Sequence, residues 1–243
     1  MKKILFVSNS FGVDSTRYFY GVSRAAGKKV KVATLYIGGC SLYRHYRNML
    51  SGEKAYAYYI NGMESGLMVS LKEALLSDEW DVVVTQQCSP DSGNADSYFP
   101  FLPELVSFFR QCAPKAEFHI QRTWSFAEGC PRFGKTDFET REEMIPAVRE
   151  AYRKAAEAVS ADGIIPAMDV MNKLYDAVGD ATYRDGFHAS FGLGRYALAC
   201  LWLRYFFGKS PSGNSFRDFD VDVTEEEVLL AQRIVDEVME CNG

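Results

Sequence analysis

Ile4–Thr16, ILFVSNSFGVDST, passes from an uninterrupted apolar run into a turn of small polar residues. A short apolar run without alternation is typical of a strand buried on both faces, as in the parallel sheet of an α/β domain. Polar residues that directly follow such a strand lie at the edge of the sheet where ligands bind. The stretch therefore predicts a strand that delivers Ser8, Asn9 and Ser10 to a candidate site.

The rest of the chain alternates between apolar runs and helical patterns. The predicted strands are Lys3–Ser8, Val30–Ile37, Asp81–Gln87, Glu117–Arg122 and Gly163–Ala167, with Ala55–Ile60 as a small extra candidate. The predicted helices are Ser15–Ala26, Gly66–Leu76, Phe101–Gln111, Arg141–Ser160, Gly192–Phe207 and Thr224–Met239. This alternation predicts one α/β domain over residues 1–243, with a five-stranded parallel sheet and helices on both faces. Lys209–Asp220 is predicted to be a loop.

Composition excludes several classes of protein. The 243 residues are 47% hydrophobic and carry a formal net charge of −5, without a dense basic cluster, so a nucleic-acid partner is not expected. The apolar run after Lys2 and Lys3 is too short for a signal peptide, and no run is long enough to span a membrane. We therefore expect a cytoplasmic protein without a membrane partner. Six scattered cysteines and three histidines show no ligand spacing, so no metal is expected. The sequence does not indicate an oligomeric state.

The residues after the predicted strands suit ester hydrolysis. A serine hydroxyl is a weak nucleophile until a base takes its proton, and that base needs an acceptor on its other ring nitrogen. Ser10 follows the first strand, and far downstream His188 stands three residues after Asp185, just before an apolar helix. The competing histidine His119 lies inside a predicted strand, where a structural role is expected.

Four sequence blocks, in order, resemble the SGNH (GDSL-like) serine hydrolases, in particular a bacterial branch of them. The blocks are SNSF (Ser8–Phe11), LYIGGCS (Leu35–Ser41), QQCS (Gln86–Ser89) and DGFH (Asp185–His188). The resemblance covers about Lys3 to Phe207 and implies a flavodoxin-like three-layer sandwich. It also implies hydrolysis of small-molecule or carbohydrate esters, often acetyl esters, without a metal or organic cofactor.

The resemblance assigns roles to single residues. Ser10 matches the nucleophile, His188 the general base and Asp185 the partner of that base. The rate is then expected to fall at acid pH, since the base must be neutral.

The resemblance also implies an oxyanion hole built by the backbone N–H groups of Ser10 and Gly39, with Gly38 as the alternative glycine. Most SGNH enzymes add an asparagine in the third block, where this chain has Gln86 and Gln87. A glutamine amide is also a donor, although its side chain is longer, so its backbone must lie farther from the oxyanion than that of an asparagine. We expect Gln87 to be the donor, because it lies nearer the end of the strand.

Three residues are candidates for substrate contacts. Gln86 ends the third strand, Trp124 follows the fourth, and His45 lies in a basic aromatic stretch after the glycine block. Large aromatic residues and lone histidines are more often structural, so a role in the core is the alternative for Trp124 and His45.

Two other functions remain open at this stage. SFGVDST also resembles SGGxDS, the phosphate-binding loop of ATP pyrophosphatases, which requires small residues so that backbone N–H groups reach the phosphate. Phe11 stands where one of those small residues is needed. Asp14 matches the acid of that loop, whereas in a hydrolase it is expected to be an ordinary acidic residue in the first turn of a helix. The second alternative is a non-catalytic carbohydrate-binding protein on the same fold.

Overall fold

The computed structural model describes residues 1–241, and within this range a seven-stranded sheet forms its centre. The strands are β1 (Lys2–Ser8), β2 (Val30–Tyr36), β3 (Tyr56–Ile60), β4 (Met63–Val69), β5 (Val82–Thr85), β6 (Glu117–Gln121) and β7 (Gly163–Ile165). Their order across the sheet is β4-β3-β2-β1-β5-β6-β7. β1, β2, β5, β6 and β7 are parallel, whereas β3 and β4 form an antiparallel hairpin at one edge. The predicted α/β class, the five parallel strands and the extra strand are confirmed, and β4 was not predicted.

β1 lies at the centre of the sheet because both of its faces are apolar. Its residues Ile4 to Val7 are fully buried. It pairs with β2 on one side and with β5 on the other, so that Ser8 lies opposite Tyr36 and Val7 opposite Thr85. Because these strands are parallel, the segments that follow them meet at one edge of the sheet.

Nine α-helices of the described chain form two layers around the sheet. They are α1 (Ser10–Thr16), α2 (Phe19–Ala25), α3 (Leu42–Ser51), α4 (Leu71–Leu76), α5 (Phe101–Cys112), α6 (Arg141–Val159), α7 (Ala167–Val178), α8 (Leu193–Phe207) and α9 (Glu225–Cys241). Helices α1, α2, α7, α8 and α9 contact one another, and α3 to α6 form the second group. The crossover from β1 to β2, which contains α1 and α2, runs towards one edge of the sheet, whereas the crossovers from β5 through β6 to β7, which contain α5 and α6, run towards the other edge. Because such crossovers are right-handed, the two groups of helices lie on opposite faces of the sheet.

Local capping explains where the predicted helices differ from the observed ones. The single helix predicted over Ser15–Ala26 is divided into α1 and α2. α1 begins earlier, at Ser10, because the side chain of Asn9 accepts a hydrogen bond from the N–H of Phe11 (3.1 Å). The prediction of a helix from Gly66 was wrong, since β4 continues to Val69. Ser70 and Glu73 then form a capping box (3.2 and 2.9 Å) that starts α4. α3 and α7 were not predicted, whereas α5, α6, α8 and α9 match the predictions to within two residues.

A glycine allows α1 to lie directly against β1. A Cβ added to Gly12 would lie 2.1 Å from the Oγ and 2.4 Å from the Cβ of Ser8. The position of the helix that begins with Ser10 therefore depends on the absence of a side chain at residue 12.

Candidate active site

Three side chains from distant parts of the sequence form one hydrogen-bonded row. Ser10 begins α1, and Asp185 and His188 lie in the loop before α8. The Nε2 atom of His188 lies 2.8 Å from the Oγ of Ser10, and its Nδ1 atom lies 2.6 Å from the Oδ2 of Asp185. The backbone N–H of His188 also donates to the Oδ1 of Asp185 (2.8 Å). This is the arrangement that a nucleophile, its base and an orienting acid require.

The acid end of this row is open to solvent. The side chain of Asp185 is 41% exposed and that of His188 is 19% exposed. Partial burial raises the pKa of Asp185, but hydrogen bonds from the ring and backbone of His188 outweigh it, so the pKa lies below its ordinary value. Asp185 is thus a carboxylate that accepts a hydrogen bond from Nδ1–H, which leaves Nε2 as the acceptor for the hydroxyl of Ser10.

Backbone contacts with the segment after β6 hold the loop that carries His188. Gly186 has a φ of +83°, a conformation that favours glycine, and its carbonyl accepts from the N–H of Ala127 (2.6 Å). The indole N–H of Trp124 donates to the carbonyl of Phe187 (2.7 Å). The two residues directly before His188, Gly186 and Phe187, are therefore both fixed by hydrogen bonds, and these fix the position of the imidazole.

A buried ion cluster joins this loop to α1. The carboxylate of Asp14 is 1% exposed and accepts from Arg184 (3.0 Å) and from the Nε of Arg195 (2.9 Å). Burial raises the pKa of Asp14 against the opposing effect of the two guanidinium groups. Asp14 lies beyond the first turn of α1, so the predicted first-turn role was wrong. It ties the helix that carries Ser10 to the loop that carries His188.

Two backbone N–H groups at this edge are available to a ligand. Within the described chain, the N–H groups of Ser10 and Gly39 donate to no other residue. Gly39 is exposed and has a φ of +60°. The Nδ2 of Asn9 donates to the carbonyl of Cys40 (3.1 Å), which holds the segment after β2 against the segment after β1. The two free donors therefore lie on adjacent, linked segments.

The structure contradicts the predicted third donor, Gln87. Its Nε2 donates to the hydroxyl and carbonyl oxygens of Ser97 (3.0 and 3.1 Å). Its Oε1 accepts from the N–H groups of Leu42 and Cys88 (2.9 Å each). The whole amide is thus used to fix the start of α3 and the loop after β5. The position of Gln87 near the end of the strand could not reveal these partners.

Gln86 belongs to a buried chain of polar side chains that ends at Asn9. The indole N–H of Trp202 donates to Gln121, the amide of Gln121 donates to Gln86, and that of Gln86 donates to the Oδ1 of Asn9, each at 2.8 Å. All four residues are buried, so Gln86 does not make the predicted substrate contact. Its role is to fix the amide of Asn9. An asparagine directly before a helix is a capping signal that identifies Asn9 from sequence, whereas nothing in the sequence pairs Gln121 with Trp202.

His45 and Trp124 do not line the site, and the predicted substrate contacts were wrong for both. Both are fully buried. The Nδ1 of His45 lies 2.9 Å from the hydroxyl of Tyr56, and burial lowers the pKa of this histidine to about 3. Trp124 stacks on Phe11, with ring centroids 4.0 Å apart and planes within 1°. They belong to the core, where aromatic side chains are usual.

The alternative of a phosphate-binding loop fails on the same helix. SFGVDST is α1 itself, so its later N–H groups are bonded inside the helix and Phe11 is buried. Within residues 1–241, no group of three or more His, Cys, Asp or Glu residues is placed to hold a metal ion. In the same range, no helix is long and apolar enough to cross a membrane.

The sequence matches the family model described as "Domain of unknown function (DUF4886)" over residues 3–234. The crystal structure of a DUF4886 family protein from Bacteroides uniformis ATCC 8492 is 29% identical, with a TM-score of 0.91. The match covers 98% of this chain and 95% of that one. A search of curated proteins found no match.

Hydrolases with lower identity share the fold. A carbohydrate esterase family 3 protein from Talaromyces cellulolyticus is 13% identical, with a TM-score of 0.55, over 83% of this chain and 94% of that one. A member of the lipolytic protein G-D-S-L family from Veillonella parvula DSM 2008 is 14% identical, with a TM-score of 0.51, over 86% and 100%. The chain therefore belongs to the DUF4886 family, and its fold is that of the SGNH (GDSL-like) hydrolases.

Proposed function

We propose that this protein is a serine esterase that hydrolyses short acyl esters, chiefly acetyl esters of carbohydrates. The observation that carries the proposal is the position of the His188 imidazole, 2.8 Å from the Ser10 hydroxyl and 2.6 Å from the Asp185 carboxylate. These residues are 178 positions apart at their widest, so the contact is a product of the fold. The shared fold of SGNH hydrolases supports the same chemistry.

The reaction follows from this geometry. The Oγ of Ser10 attacks the ester carbonyl while Nε2 of His188 takes its proton, and Asp185 stabilises the imidazolium through Nδ1–H. The N–H groups of Ser10 and Gly39 donate to the oxyanion of the tetrahedral intermediate. His188 then returns the proton to the leaving alcohol, and an acyl-serine forms. Water, activated by the same imidazole, attacks the acyl group and restores the Ser10 hydroxyl.

The solvent exposure of the hydrogen-bonded row supports a polar substrate with a bulky alcohol. Gly38 and Gly39 are exposed, and Ser10 and His188 are both accessible to solvent. An open edge accommodates a sugar more readily than a narrow tunnel does. The preference for short acyl groups rests on the resemblance to the SGNH hydrolases.

A fluorophosphonate probe tests the nucleophile directly. We expect the probe to label the wild-type protein and not Ser10→Ala, while Ser107→Ala, which changes an exposed serine on α5, keeps its label. Ser10→Ala should also lower kcat for nitrophenyl acetate by about 10⁴- to 10⁶-fold. Folded wild-type protein that takes no label would favour the non-catalytic carbohydrate-binding alternative. A series of nitrophenyl esters should show the highest kcat/KM for acetyl and a decline as the acyl chain lengthens.

A further inference from the structure

Arg132 lies beside the candidate base, although no predicted role included it. It belongs to the 3-10 turn Pro131–Lys135. Its guanidinium carbon lies 4.1 Å from the ring centroid of Phe187, and that ring lies 4.0 Å from the centroid of the His188 imidazole. The guanidinium is therefore no more than about 8 Å from the imidazole.

The guanidinium of Arg132 has no polar partner among the residues that the structure describes. Its Nε is buried without a hydrogen bond, and no carboxylate or carbonyl accepts from its other nitrogens. By contrast, Arg184, Arg195 and Arg141, which hold neighbouring segments, all donate to acceptors within the protein. Stacking on a ring leaves the in-plane N–H donors of a guanidinium free, and a buried donor such as this Nε is normally satisfied. The free donors of Arg132 therefore point to an acceptor supplied by a ligand.

The position of Arg132 indicates which part of the ester substrate its guanidinium would contact. The contacts from Arg132 run through Phe187 to His188, and His188 is the group that returns its proton to the leaving alcohol. The free N–H of Gly39, which would hold the carbonyl oxygen, follows β2, whereas Arg132 follows β6, and these two strands lie on opposite sides of β1 in the sheet. A group bound by Arg132 would thus be carried by the alcohol part of the ester.

We propose that Arg132 binds a carboxylate on the alcohol part of the substrate, so that the preferred substrates are acyl esters of acidic alcohols such as acidic sugars. A planar guanidinium matches a carboxylate with two parallel hydrogen bonds, and one unpaired cation balances one negative charge. This inference rests on the proposed esterase activity and makes Arg132 a specificity-determining residue.

Two matched esters test the proposal: 4-acetoxybenzoate, which carries its carboxylate one ring away from the ester oxygen, and its neutral methyl ester. We expect wild-type kcat/KM to favour the anion, mainly through KM. The ratio of the two kcat/KM values should fall about 10- to 100-fold in Arg132→Gln. Arg132→Lys should keep part of the preference. The control is Arg24→Gln, which removes an exposed arginine from the last turn of α2, before β2 begins, where it stacks on Tyr20, and should keep the ratio.

Salt provides a second measurement that needs no variant. Added salt should reduce the wild-type preference for the anion, because it screens the attraction to a partly exposed guanidinium. An unchanged ratio in Arg132→Gln, with both esters still hydrolysed, would overturn the role of Arg132 and leave the esterase proposal standing. Failure of both esters, together with absence of fluorophosphonate labelling at Ser10, would overturn the esterase proposal and this inference with it.

Discussion

Gly12→Ala should reduce activity by moving the helix that carries the nucleophile. The added Cβ would lie 2.4 Å from the Cβ of Ser8 and 3.0 Å from the Cε1 of Phe6. The Oγ of Ser8 can rotate away from the new methyl group, but its Cβ is fixed by the backbone of β1. Because carbon atoms in contact remain about 3.5–4.0 Å apart, α1 must shift by about 1 Å.

The expected effect on the rate is larger than the effect on stability. Overpacking costs about 1–3 kcal/mol, while alanine regains about 1 kcal/mol of helix propensity over glycine, so the net destabilisation is about 0–2 kcal/mol. A displacement of about 1 Å at a reacting group costs about 10²-fold in rate. The shift moves Ser10 relative to His188, whose Nε2 lies 2.8 Å from the Oγ of Ser10, and so disturbs the contact on which proton transfer depends.

The assay combines urea unfolding with kcat/KM for nitrophenyl acetate and with the rate of fluorophosphonate labelling. The double variant Gly12→Ala/Ser8→Gly removes the fixed Cβ of Ser8 and should recover most of the lost rate. Gly134→Ala is the control, since its added Cβ meets no atom within 4 Å. Wild-type kinetics in Gly12→Ala, or no recovery in the double variant, would refute this explanation.

Three further predictions concern single side chains. Asp185→Asn should lower kcat by about 10⁴-fold with the fold intact, because a neutral amide does not stabilise the imidazolium and can donate to Nδ1, which favours the wrong tautomer; a drop below tenfold in steady-state kinetics would contradict the assignment. Gln86→Leu should lower kcat about tenfold at unchanged KM, since one hydrogen bond to the amide of Asn9 is lost; a change in KM alone would instead indicate a substrate contact. His45 has its pKa lowered from 6.5 to about 3 by burial, so its contribution to stability is complete above pH 6.5 and is lost as the pH falls towards 3. His45→Gln should therefore make the free energy of unfolding fall less steeply over this window, by about 1.4 kcal/mol per pH unit in urea titrations, and equal slopes would contradict the reasoning.

The parallel core was predictable because its strands carry a continuous apolar signal. Ile4 to Val7 are buried on both faces, and such a run has few alternatives in a chain of this composition. β4 gave no such signal, because it is exposed along most of its length and its residues therefore show no pattern. α3 begins at the cap of Ser41, the last residue of the glycine block, where two glycines indicate a turn and not the start of a helix. The single-domain organisation stays a prediction.

The three residues of the hydrogen-bonded row were predictable because each lies within a recognisable block, Ser10 in SNSF and Asp185 and His188 in DGFH. Gln87 was not, since its partner Ser97 lies in a short 3-10 segment that no periodicity marks. Arg132 was missed for the same reason, because its neighbour Phe187 is near it only in the fold. Side-chain partners across loops depend on tertiary packing, which local pattern does not encode.

The ion cluster at Asp14 has a mechanical consequence. Arg184, in the loop that carries His188, forms an ion pair with Asp14 on the helix that begins with Ser10. The ion pair therefore holds the Ser10 hydroxyl and the His188 imidazole at a fixed distance from each other. Asp14→Asn would weaken that ion pair without touching either reacting group, and the spread of Ser10–His188 distances sampled in solution would widen.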